Sequence, residues 1–171
     1  MTAVVILRAL VRADLPLVGE WLGAPHVARW WREDASEVAV AARYAPYLEG
    51  SDPTVIVVAE HDNRPVGLGQ WYDWDASPAA RDAYGIPAGT VGIDYLIGHP
   101  HDCDRGLGTH LVAALVEATP RVPLWVTPEA ANQPSCQVLE KNGFVLMATK
   151  QCSLLEEPEA GPTALYCLSR G

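Results

Sequence analysis

The sequence predicts an α/β fold built on one mixed sheet of about seven strands, with helices on its faces. Three observations predict it. Residues 91–126 read as strand, helix and strand within about 35 residues, a βαβ unit that requires parallel pairing and a right-handed crossover. Residues 54–74 read as two apolar runs around the turn His61-Asp62-Asn63-Arg64, a hairpin. Further β-branched runs near both ends alternate with segments of helical periodicity, and no internal repeat or composition break divides them. A length of 171 residues then suits one domain, 1–171, with one sizeable core.

In chain order, Val4-Val5-Ile6-Leu7 is the first strand. Asp14 caps a helix that tolerates Pro16 in its first turn, carries Leu15, Val18, Trp21 and Leu22 on one face, and ends at Gly23. His26 to Glu33 holds the adjacent pair Trp30-Trp31, which cannot both point into one core from a short helix, so one lines a groove or covers a joint. Residues 34–49 read as an alanine-rich helix that Pro46 kinks or ends. Thr54–Glu60 and Val66 to Tyr72 or Trp74 are the hairpin strands, and residues 76–90 form a long irregular connection. Val91–Ile97 is the central strand. Gly106 to about Thr119 is a helix with Leu107, Leu111, Ala114, Leu115 and Ala118 on one face, closed by Pro120, and Val122–Val126 is the strand that follows. Residues 129–142 form a second helix with Gly143 as its left-handed cap, Phe144–Met147 opens another strand, Glu156–Pro162 is an acidic turn, and Ala164–Leu168 is the last strand.

Composition narrows the function. With 12 basic and 21 acidic residues the formal charge is −9, which disfavours nucleic acid and suits a cationic partner. Hydrophobic content is 49% and mean hydropathy +0.05, so the chain is not disordered. The start, Met-Thr-Ala-Val-Val-Ile-Leu-Arg, carries no basic region and no cleavage site, and no apolar run is long enough to cross a bilayer. The expectation is a cytoplasmic protein without membrane contact. Cys103, Cys136, Cys152 and Cys167 are widely spaced and read as reduced thiols, two of them in strands, with no metal-finger spacing.

Val91–Thr109 carries the chemistry. Glycines at 106 and 108 open a helix after a strand, so successive amides and the helix dipole can approach a phosphate without steric bulk; Arg105 adds charge and Thr109 a hydroxyl. Asp94 is a lone carboxylate between Ile93 and Leu96 in an apolar strand, a candidate base. Read alone, each feature also fits an ordinary capped turn and a paired aspartate.

Two blocks taken together go further. Asp104-Arg105-Gly106-Leu107-Gly108-Thr109 is followed by Asn132-Gln133-Pro134-Ser135 and Leu139-Glu140-Lys141-Asn142-Gly143-Phe144. With Glu20-Trp21-Leu22, His26-Val27, Trp30-Trp31 and Gly92-Ile93-Asp94, they make the chain, from about residue 6 to 168, resemble the GNAT superfamily of N-acetyltransferases, and within it the aminoglycoside 6′-N-acetyltransferases. Two positions depart from the pattern: Cys103 replaces the first Gln or Arg of the loop, and Leu139 replaces the tyrosine that usually protonates the departing thiolate.

The resemblance implies a GNAT fold whose splayed parallel strands hold acetyl-CoA as co-substrate, with no metal. Cys103, Asp104, Arg105, Gly106, Leu107, Gly108 and Thr109 would then bind the pyrophosphate, the backbone of Leu96, Ile97 and Gly98 the pantetheine, and Asn132, Ser135 and Leu139 the rest of the cofactor side. An N–H at Leu96 would stabilise the developing oxyanion. Asp94 would hold the acceptor ammonium and take its proton. Because a thiol titrates at about 8.5, thiolate is a fair leaving group and an acid is dispensable; Ser135, Cys136 or water could donate. Trp30, Trp31, Tyr72, Trp74, Asp73, Asp75, Asp82 and Glu159, with the Glu156–Glu159 turn, are the groups available for a polycationic aminosugar. The alternatives are a GNAT acting on another amine, such as a siderophore-precursor hydroxylamine, and a non-catalytic module that retains the fold. Monomer and homodimer both stay open.

Overall fold

The computed structural model describes residues 4–151 and 160–170. Its strands are β1 (Ile6–Ala9), β2 (Val55–His61), β3 (Arg64–Asp73), β4 (Val91–Ile97), β5 (Leu124–Val126), β6 (Val145–Lys150) and β7 (Thr163–Leu168). Its helices are α1 (Leu15–Gly23), α2 (Pro25–Trp31), α3 (Glu37–Leu48), α4 (Pro78–Tyr84), α5 (Leu107–Ala118) and α6 (Gln133–Lys141). The seven strands form one mixed sheet in the order β1-β2-β3-β4-β5-β7-β6. β1 lies antiparallel to β2, β4 runs parallel to β5, and β7 is antiparallel to both β5 and β6.

The described chain divides into two compact units. One holds the residues through Gln70 together with Tyr95–Glu117; the other holds Trp71–Asp94 and the residues from Ala118 onward. In the first, Val18, Trp21, Leu22, Val27, Val40, Tyr44, Val58 and Leu68 form a core in which α1, α2 and α3 pack with strand side chains. The periodicity of α1 and α5 explains their burial: Leu15, Val18, Trp21 and Leu22, and Leu107, Leu111 and Leu115, fall on one face each. In the second, Trp74, Tyr84, Ile86 and Leu165 form a smaller aromatic cluster. There the parallel register between β4 and β5 is the single pair Val91↔Leu124, next to the bond from the Val91 amide to the Pro123 carbonyl (3.2 Å). That pair is the whole registered overlap of the two strands.

Several boundaries differ from expectation. β1 starts two residues later, because it is in register with Val57–Glu60 of β2. Asp14 precedes α1 but makes no side-chain cap; its carboxylate instead takes both terminal nitrogens of Arg8 (2.8 Å each) and the Val11 amide (2.9 Å). Pro46 does not end α3, which runs to Leu48; proline lacks a donor, but its carbonyl still accepts from Ser51 (2.9 Å) and Asp52 (3.2 Å) and turns the chain there. The connection 76–90 is not irregular. A 3-10 turn at Trp74–Ala76 leads into α4, opened by Pro78 and closed by Gly85 at φ 72°, where Lys150 Nζ donates to the Tyr84 carbonyl (2.7 Å). β5 is shorter than predicted, and α6 starts at Gln133, since Glu129 bridges to Thr163 and Asn132 supplies the cap. Cys167 lies in β7, Cys136 in α6 and Cys103 in the loop before α5, while Cys152 is outside the described residues. β6 ends the sheet order, and its Val145, Leu146 and Met147 are exposed.

Candidate functional site

The loop before α5 belongs to the first unit. A 3-10 turn at Pro100–Asp102 is followed by two left-handed residues, Asp104 (φ 57°) and Gly106 (φ 79°). Glycine at 106 takes that conformation without cost, and a backbone of this kind turns successive N–H groups toward one point. The first intrahelical bond of α5 runs from the His110 amide to the Gly106 carbonyl (3.1 Å), with the His110 ring nitrogen on the same oxygen (2.8 Å). The amides of Leu107 and Gly108 precede that bond and are the orphan donors that a helix N-terminus offers to an anion.

The loop is anchored by a pair the sequence does not signal. Asp102 is fully buried and receives both terminal nitrogens of Arg64 (2.8 and 2.7 Å), which hold its carboxyl below the usual carboxylate range. Arg105 stands 3.7 Å from the same carboxylate with most of its side chain in solvent. With Asp102 paired to Arg64, the Leu107 and Gly108 amides and the Arg105 guanidinium are the donors the loop offers a diphosphate, with the Asp104 carboxylate beside them. Cys103 is half-buried, with its Sγ 3.7 Å from the His99 carbonyl and its thiol pushed up by burial.

After β4, two backbone groups expected to meet pantetheine are used within the unit: Gly98 N–H donates to the Val66 carbonyl (2.9 Å), and the Ile97 carbonyl bonds His26 Nε2 (2.9 Å). Gly98 is a glycine because the Trp21 indole occupies the space a Cβ would fill. Leu96 is buried, and its carbonyl faces Gly67 closely enough to exclude a side chain there. Trp31 packs partly buried on the core; Trp30 is also half-buried and carries the Arg29 guanidinium 4.7 Å above its ring.

Asp94 belongs to the second unit and is half-buried. Tyr72 hydrogen-bonds to it, and burial plus this carboxylate push the phenol well above its ordinary value. The upstream acids each have a partner within the fold. Asp73 caps the 3-10 turn by accepting from the Asp75 amide (2.8 Å). Asp75 accepts from Arg81 and from the Gly89 amide (2.9 Å), and Asp82 takes Nε and a terminal nitrogen of Arg81 (3.0 and 2.8 Å). One guanidinium six residues from Asp75 and next to Asp82 therefore already holds two acids expected to meet the substrate. Trp74 is only 4% exposed, its Nε1 donating to the Trp125 carbonyl (3.1 Å), so it is a core residue and no platform. Glu159 and the Glu156–Glu157 pair lie outside the described residues.

In the second block, Asn132 caps α6 by accepting from the Ser135 amide (3.3 Å). Leu139 has no exposed surface and is a core residue. The Cys136 thiol is buried beside the Tyr166 hydroxyl, which donates to Glu140 (2.8 Å); burial raises the thiol.

A mixed seven-stranded sheet with a left-handed glycine opening a helix defines an α/β protein whose helix N-terminus can take an anionic ligand. The chain belongs to the GNAT acetyltransferase family, whose domain model matches residues 11–151. It is 26% identical over 162 residues to aminoglycoside N(6′)-acetyltransferase type 1 of Klebsiella pneumoniae, covering 85% of this chain and 76% of that protein. Among solved structures it is similar to aminoglycoside acetyltransferase AAC(6′)-Ib in complex with coenzyme A and kanamycin (27% identity, 97% and 95% of the two chains, TM-score 0.76). It also shares its fold with spermidine N-acetyltransferase from Vibrio cholerae in complex with CoA and spermine (14% identity, 97% and 95%, TM-score 0.76). Among the described residues no helix is long and apolar enough to cross a membrane, and no cluster of His, Cys, Asp and Glu could hold a metal ion.

Proposed function

We propose that this protein transfers the acetyl group of acetyl-CoA to an amine of a polycationic aminoglycoside, the 6′-amine, and so protects a cytoplasm that contains it from such drugs. The observation that carries the reading is Asp94. It is a carboxylate beside buried Ile93 on the central strand of an acetyltransferase fold, in a chain similar over most of its length to aminoglycoside 6′-acetyltransferases. The matched family region spans both compact units, which supports reading 1–171 as one catalytic domain.

The residues divide the work. The Leu107 and Gly108 amides with Arg105 bind the diphosphate of the cofactor, which supplies an activated acetyl thioester when bound. Asp94 attracts and orients the substrate ammonium, then accepts its proton, because only the neutral amine is a nucleophile. With Leu139 in place of a phenol, departure of the thiolate relies on its own stability and on water. The net charge of −9 supports a polycationic acceptor.

The test follows thiol release from acetyl-CoA with kanamycin, with hydroxylysine and with no acceptor. The reading expects release with kanamycin alone, and expects Asp94→Asn to lose at least about 100-fold in kcat/KM while acetyl-CoA still binds. Turnover of hydroxylysine alone would move the chain to the hydroxylamine branch, and binding without any turnover would make it a non-catalytic module.

A further inference from the structure

Tyr72 stands on β3 with its ring laid across Gly92 of β4. A Cβ at position 92 would come within 2.5 Å of that ring and 2.8 Å of its hydroxyl oxygen, so no other residue leaves room for it. Side chains two apart on a strand share a face, which places Asp94 next to the hydroxyl that Gly92 admits. The hydroxyl bonds the Asp94 carboxylate.

The ring itself is held from behind. Trp74 meets it edge-on at 5.4 Å, and Trp74 is fixed in turn by its bond to the Trp125 carbonyl (3.1 Å) and by Tyr84 at 6.1 Å. A phenol gripped this way does not swing out to stack on a sugar. It acts on what its oxygen touches, and a carboxylate with a fixed donor on it cannot rotate freely.

We infer that Tyr72 is a positioning residue for the transfer reaction: lodged over Gly92 and buttressed by Trp74, its hydroxyl orients the Asp94 carboxylate for proton abstraction and does not bind the aminosugar. This rests on the role given to Asp94 above. Orientation of a catalytic group changes turnover far more than affinity, because the gain is realised as the proton moves.

The experiment is a double-mutant cycle of Tyr72→Phe and Asp94→Asn, with kcat, the KM of each substrate and Tm measured for every variant. Phenylalanine keeps the ring over Gly92 and removes only the oxygen. Tyr72→Phe is expected to lower kcat about tenfold or more, with KM for both substrates and Tm unchanged, and to have no further effect in the Asp94→Asn background. Gly92→Ala, which pushes the hydroxyl off the carboxylate, is the second variant; it is expected to lower kcat similarly, without adding to Tyr72→Phe. Full kcat in Tyr72→Phe, a raised aminosugar KM at unchanged kcat, or an undiminished loss in the Asp94→Asn background would overturn the inference. Full activity of Asp94→Asn itself overturns the reading of Asp94, whatever Tyr72 does. A slow Asp94→Asn beside a fast Tyr72→Phe overturns only the role of Tyr72.

Discussion

Asp102 has no exposed surface, yet it is charged, and both of its oxygens are met by Arg64. An isolated carboxylate there would be expensive, so the pair is a lock between the start of β3 and the loop before α5. Arg64→Ala removes both close hydrogen bonds to that charge and leaves only Arg105 at 3.7 Å and His101 at 3.6 Å near it. A loss of about 1–3 kcal/mol is expected, read as a fall in Tm of about 2–4 °C per kcal/mol for a chain of this length. KM for acetyl-CoA should rise at the same time, since the loop loses its anchor. The pH dependence has a definite sign. The carboxyl is depressed in the folded state, so its stabilisation is complete above the unfolded value of about 3.9 and disappears as pH falls through the folded one. Urea midpoints of the native chain and Arg64→Ala should therefore separate above about pH 4 and converge in stronger acid.

At the scale of elements, α6 separates a structural asparagine from a functional one. Asn132 caps the helix through its side-chain oxygen. Asn132→Ala should cost about 1 kcal/mol and Asn132→Asp should restore it; if Asn132 instead served only the cofactor, both variants would raise KM for acetyl-CoA at constant Tm. The central strand was legible in the sequence to the residue, Val91–Ile97, because its apolar run is bounded by a glycine-and-proline stretch and a His-Pro turn. The loop was legible because Gly106 and Gly108 are followed at the expected distance by the block from Asn132 to Phe144. Other features were not. Arg64 and Asp102 are far apart in sequence and carry no local pattern. Arg81 reads as a surface charge until α4 coils it back onto Asp75 and Asp82. The helix α4 itself was hidden because its seven residues are too few to display periodicity amid glycines and prolines. Gly92 reads in the sequence as part of a motif, but the ring that requires it comes from another strand.

For the molecule as a whole, the charge of −9 would act in opposite directions on the two substrates of the proposed reaction. A polycation is drawn in and the anionic cofactor is repelled, and both effects are screened over about 8 Å at physiological salt. Raising sodium chloride from low to high concentration should increase KM for kanamycin severalfold. KM for acetyl-CoA should change less, because its diphosphate is bound at short range by amides. Steady-state kinetics at several ionic strengths check this directly.

The outer strand β6 matters for handling the protein. Val145, Leu146 and Met147 are exposed side by side on a strand that ends the sheet, an invitation to other chains at high concentration. The register shift between Leu146 and Ala148 interrupts that edge and blunts the hazard only partly. In concentrated stocks, turbidity should begin there, and a single lysine at the end of the triplet, Met147→Lys, should extend shelf life and raise the concentration at which light scattering appears, with acetyl transfer unaltered.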